Sequence, residues 1–247
     1  MKKKLLIILL IPLLVLVTAC TKKETKEKEE TKKEEVVTFT DEELQKFVDY
    51  IIPSGYTGPS AKLYNTDLVE AEKLSLTEKF DYIAGYLYKK QKSSEDYEYS
   101  ILSEEDVKKT IEEVYGPDIY EKTSFSLGCG QYELRDDGNY YARTGCGGVT
   151  TTSATNIVID YKATKTKLEI TTAYAILDGA ARKIYKDYDK TIELDNYELA
   201  DNHTREEAEN YMKDYILNNK DKLSHIVYTF ESKDGKNYYF KQFKNNK

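Results

Sequence analysis

The hydrophobic pattern of this chain changes period once, between Pro117 and Ser124, which calls for helices in the first half and strands in the second. Ahead of the change, Thr40 with Glu43 forms a capping box, and Leu44, Phe47, Val48 and Ile51 recur at helical spacing until Pro53. "PSGYTGPS" breaks that pattern. Ser75 with Glu78 opens a second helix, with Phe80, Ile83, Ala84 and Leu87 on one face. Ser103 with Asp106 opens a third, carrying Val107, Ile111 and Val114 and stopped by Gly116-Pro117. Behind the change, β-rich runs fall at Phe125 to Leu134, Tyr140 to Gly145, Asn156 to Tyr161, Lys167 to Leu177 and Ile184 to Leu194. Thr204 with Glu207 starts a fourth helix, whose apolar stripe is Ala208, Tyr211, Met212, Tyr215 and Ile216. The closing stretch has two strand runs around Asp234-Gly235, a pair typical of type I′ hairpins. The expected fold class is α+β: N-terminal short helices followed by a mostly antiparallel curved sheet with one packed helix.

The run from Ser126 to Val149 holds two glycine-flanked cysteines on either side of "RDDGN". With Asp137-Gly138 as a two-residue hairpin loop, paired positions sum to 275 and Cys129 faces Cys146. That position is a non-hydrogen-bonded pair with Cα atoms ~4.5 Å apart, at the short end of the ~4.4–6.8 Å disulfide range. The four flanking glycines leave room for the strands to twist. A disulfide between Cys129 and Cys146 is the leading expectation. Free paired thiols, a redox-active bridge, and a zinc site shared with His203 and His225 follow in that order, since no Cys-x-x-Cys or common zinc spacing is present. The same count puts Tyr132 opposite Arg143 and Tyr140 opposite Arg135.

After Met1 come three lysines, an apolar run of 13 residues from Leu5 to Val17, and Thr18-Ala19-Cys20. The run is short of the ~20 residues a membrane-spanning helix needs, so it reads as a secretory signal. Val17-Thr18-Ala19-Cys20 resembles the lipobox of bacterial lipoproteins. The resemblance covers these 20 residues and implies that Cys20 carries a diacylglycerol after cleavage. Acyl chains contribute ~0.8 kcal/mol per buried CH₂, and two together anchor a protein stably. Thr21 to Glu35 contain only Thr, six Lys and six Glu, a solvated spacer with Glu29 and Lys33 as its clearest i,i+4 pair. The expected layout is signal peptide 1–19, lipidated cysteine and linker 20–36, helical part 37–122, and sheet with helix 123–247, the last two forming one domain.

Removing the signal's three lysines takes the formal charge from −7 to −10. Such an acidic body disfavours nucleic acid and anionic lipid as surfaces to lie on. No Ser-x-x-Lys, Gly-x-Ser-x-Gly, His-Glu-x-x-His or P-loop pattern occurs, so no catalytic residue, metal ligand or cofactor is assigned. "DYDKTIELD", Asp187 to Asp195, lacks the central glycine and closing glutamate of a calcium loop and reads as a solvated strand face. The 23 tyrosines follow strand propensity before they suggest sugar binding. Lipobox, charged tether, helices and a sheet with paired cysteines together resemble small lipoproteins of low-GC Gram-positive bacteria. In outline the sheet and helix resemble cystatin-like and NTF2-like domains. The resemblance implies a lipid-anchored protein on the extracytoplasmic face of the cell membrane, a non-catalytic module for a protein, peptide or glycan ligand. An envelope accessory enzyme or assembly factor is the main rival, and a transporter's solute-binding subunit a weaker one.

Overall fold

A computed structural model describes residues 35–52, 64–127, 130–144, 151–200 and 202–246. The first helix, α1 (Asp41–Ile51), is capped by the expected Thr40–Glu43 box. A short strand β1 (Leu68–Glu70) precedes α2 (Leu76–Tyr88), whose Ser75–Glu78 box is also complete. Two more strands, β2 (Lys92–Ser93) and β3 (Tyr99–Ser103), lead into α3 (Glu104–Tyr115). Here Ser103 Oγ accepts from the Asp106 N–H at 3.1 Å. The helical half therefore also contains three strands, each of two to five residues, too short for alternation to stand out in the sequence.

The second half carries β4 (Phe125–Leu127), β5 (Gly130–Leu134), β6 (Asn139–Arg143), β7 (Thr152–Ala163), β8 (Lys167–Asp178), β9 (Lys183–Tyr185) and β10 (Glu193–Asn196). Then come α4 (Arg205–Asn219), β11 (Ser224–Glu231) and β12 (Tyr239–Asn246). All pairings are antiparallel and form two open sheets, so the molecule is α+β as expected. The larger sheet runs β1-β12-β11-β8-β9-β10, with β7 on the other side of β8; the smaller runs β2-β3-β6-β5-β4.

Strand β8 shows why helices cover both faces of the larger sheet. Its even-numbered Leu168, Ile170, Tyr174 and Ile176 join the core formed with α1, α2 and α3. Its odd-numbered Ala173, Ala175 and Leu177 join a second core with Met212 and Ile216 of α4. The two alanines admit the helix closely, and the stripe read from the sequence is the one that docks. Covering layers on both faces depart from a single sheet over a single helix. On the first side, Phe80 of α2 stacks on Phe125, and Phe125 on Tyr132, with centroids 4.5 and 5.4 Å apart. That stack ties the smaller sheet to the core.

Both hairpin turns differ from expectation. Leu134 pairs with Tyr140, the Arg135 N–H donates to Asn139 O at 2.9 Å, and the Gly138 N–H to Arg135 O at 3.0 Å. The loop is thus three residues, Asp136 to Gly138, with Gly138 at φ 77°, the arrangement of a type I turn closed by a glycine bulge. Pairing shifts by one residue, so Arg135 stands opposite Asn139 and not Tyr140. Between β5 and β6 the described pairs are Glu133 with Tyr141 and Leu134 with Tyr140, while Gly130 at the other end of β5 pairs with Leu127 of β4. At the C-terminus, Glu231 pairs with Tyr239, leaving seven loop residues around Asp234-Gly235. Only Gly235 of that pair has positive φ, at 73°, which excludes a type I′ turn. Asp234 accepts from the Lys236 and Asn237 N–H groups at 2.9 and 2.8 Å and from Ser232 Oγ at 3.0 Å.

Candidate functional site

Helix α1, helix α3 and the loop between β11 and β12 enclose a groove of about 710 Å³. Its floor is aromatic. Phe39, Phe47 and Tyr238 pack nearly perpendicular to one another, with centroids 5.5 to 6.4 Å apart. Such short spacing makes a filled platform, since edge-to-face rings at these distances are in contact. Tyr50 and Tyr239 extend it. The local sequence explains the placement: Phe39 precedes the N-cap of α1, Phe47 lies two turns on, and the Asp234-centred loop delivers Tyr238.

Two of the floor's three hydroxyls are engaged inside the protein. Tyr238 donates its hydroxyl to Thr164 O at 2.6 Å, and Tyr50 donates to Glu113 Oε2 at 2.6 Å. Burial first, then the Glu113 carboxylate, push the Tyr50 hydroxyl far above the usual tyrosine range, so it stays a donor. Apart from the rim, the groove presents mainly ring carbon. On the rim, Glu43, Glu105, Glu112 and Glu113 balance Lys46, Lys108, Lys109 and Lys236, a formal sum of zero. Lys46 lies 5.7 Å from the centroid of Tyr50, and Glu43 is held below the usual carboxylate range by the Thr40 N–H and hydroxyl it caps.

A second groove, about 1050 Å³, lies between α1 and α4 along β7. Part of that strand edge is closed: Gln45 Nε2 donates to Asn156 O at 3.1 Å while its Oε1 accepts from the Val158 N–H at 3.3 Å. One side-chain amide thus stands in for a neighbouring strand.

Cys20, Cys129 and Cys146 lie outside the described residues. The two histidines serve local backbone: His203 Nδ1 meets Ala200 O, and His225 Nε2 lies 2.8 Å from Lys220 O. Among the described residues no group of three or more His, Cys, Asp or Glu side chains is placed to hold a metal ion. The acidic run organises its own turn. Asp187 accepts from the Thr191 and Ile192 N–H groups at 3.0 and 2.7 Å, and Asn65 Nδ2 donates to Asp189 at 2.8 Å. Sequence reasoning did not find the aromatic groove, because its ring residues come from three segments that only the fold unites. "NYYF" directly after the glycine turn was the signal nearest to it. No protein-family model, curated protein or solved structure matches this chain.

Proposed function

We propose that the protein is a lipid-anchored, extracytoplasmic binding module, held through Cys20 and its charged linker, that takes peptide side chains into the aromatic groove. The observation that carries the ligand reading is a floor of ring carbon in which the Tyr50 and Tyr238 hydroxyls are already bonded within the protein. Sugar recognition needs several fixed hydrogen-bonding groups beside a ring face, whereas this groove has its polar groups on long, mobile rim arms. An apolar peptide side chain with charged neighbours of both signs suits it better. The described residues belong to one compact unit, which lends no support to a two-lobed solute binder.

The full chain is to be titrated calorimetrically with capped hexapeptides carrying one Leu or Phe between Lys and Glu, and with neutral oligosaccharides. Saturable peptide binding, weakened about tenfold or more by Phe47→Ala, is expected. Binding of the oligosaccharides alone would overturn the ligand reading. The anchor is checked separately: Cys20→Ser should release the protein from the membrane fraction, and the wild-type N-terminal peptide should carry a lipid mass.

A further inference from the structure

Only four of the chain's 37 basic residues are arginines. Arg205 pairs with Glu209 at 2.7 Å, and Arg182 donates to the carbonyls of Tyr197 and Leu199. The other two, Arg135 and Arg143, are both exposed and belong to one hairpin of the smaller sheet. Neither forms an ion pair with a described residue, although the chain places Glu133, Asp136 and Asp137 beside them. Asp137 accepts from the Tyr141 hydroxyl at 2.6 Å and the Asn139 N–H at 3.1 Å; that hydroxyl foremost, with the nearby Arg135 charge adding to it, holds the Asp137 carboxyl below its usual range.

One face of this sheet is buried through Leu102, Tyr132, Tyr140 and Ala142. The other carries the arginines among rings. The Arg135 guanidinium carbon is 4.6 Å from the centroid of Tyr99 and 4.1 Å from that of Tyr141, and Arg143 stands opposite Tyr99 in register. Ile101 lies opposite Tyr141, with Lys92 beyond it at the edge. Tyr97, 75 % exposed, sits at the adjoining turn with φ 61°, a conformation uncommon for a bulky side chain. Thr144 Oγ1 donates to Tyr97 O and fixes it there.

We infer that this face is a protein-contact surface whose partner presents carboxylates to Arg135 and Arg143. Tyrosine and arginine are the residues over-represented at contact hot spots, while lysine and glutamate, which dominate this chain elsewhere, are depleted there. Stacking holds the Arg135 fork ready for bidentate bonds to a carboxylate, so less side-chain entropy is lost on binding. The acidic remainder of the body repels an acidic partner and directs it here. The surface shares no residue with the aromatic groove.

Four arginines make the test selective, because each side-chain Nε–H resonance of the full chain can be followed by NMR. Capped hexaglutamate is titrated against hexaglutamine and against polyphosphate of equal charge. Arg135 and Arg143 should shift saturably with hexaglutamate only, Arg182 and Arg205 should not move, and Arg143→Lys should weaken the effect about tenfold despite keeping the charge. Equal shifts at all four arginines, no shift at any, or tighter binding of polyphosphate would overturn the inference. Arg205→Lys is the control that should leave affinity unchanged.

Discussion

Asn156 and Asn245 bring two carboxamides into an otherwise aromatic interior, and tyrosines receive them. Asn156 Nδ2 donates to the buried Tyr228 hydroxyl at 2.8 Å, and Asn245 Nδ2 donates to Tyr64 O at 2.8 Å. The Tyr64 hydroxyl is itself buried and has no hydrogen-bond partner among the described residues. These two tyrosines should therefore respond oppositely to loss of the hydroxyl. Tyr228→Phe removes the acceptor of a buried amide and should cost about 1–3 kcal/mol in denaturant unfolding. Tyr64→Phe removes a desolvated group with no bond to lose and should be neutral or stabilising by the same measurement. Asp234 offers a pH test. Its carboxylate is held well below its ordinary 3.8 by the Asn237 and Lys236 N–H groups. A depressed folded value means stability that is fully present above the unfolded value and is lost as pH falls through the folded one. The gap in Tm between wild type and Asp234→Ala should accordingly be constant at neutral pH and shrink as pH drops below 3.8.

At the level of elements, the longest strand edge is guarded by a helix. Val36 bridges Thr164, the Val37 N–H reaches Ala163 O at 3.2 Å, and Gln45 covers Asn156 and Val158 further along β7. Gln45→Ala should lower stability by about 1–2 kcal/mol and raise aggregation measured by light scattering, because it uncovers strand backbone. Four N-caps were legible from Ser or Thr followed three residues later by an acid, and all four helices start where those residues predict. Capping is a local hydrogen bond, so local sequence suffices. Turn geometry was not legible to the same degree. Asp137-Gly138 and Asp234-Gly235 each announce a reversal, yet the loop lengths depend on how flanking strands pair with third strands. In the first case β4 and β3 flank the hairpin. In the second, Ser232 N–H donates to Thr166 O at 2.9 Å across from the neighbouring turn.

At the scale of the whole molecule, the cysteine pair ties the proposed export of the chain to its architecture. The one-residue shift in register at Leu134 and Tyr140 withdraws the count that set Cys129 against Cys146, but if the proposed export and lipidation of Cys20 hold, the two cysteines left over still favour a bridge. We therefore expect the mature protein to take up no alkylating label until it is reduced, read by mass; labelling of both thiols without reductant would refute the bridge. The sequence by itself determined the class of fold, the four helix starts and the apolar stripe of α4. Each of these depends on periodicity or capping, which are properties of neighbouring residues. Only the tertiary structure decided that α4 and the N-terminal helices cover opposite faces of one sheet. It alone brought Phe39, Phe47 and Tyr238 into one groove and laid Arg135 across Tyr99. Those contacts join segments far apart in the chain, and one β-rich pattern is compatible with many strand orders until the helices choose the faces they bury.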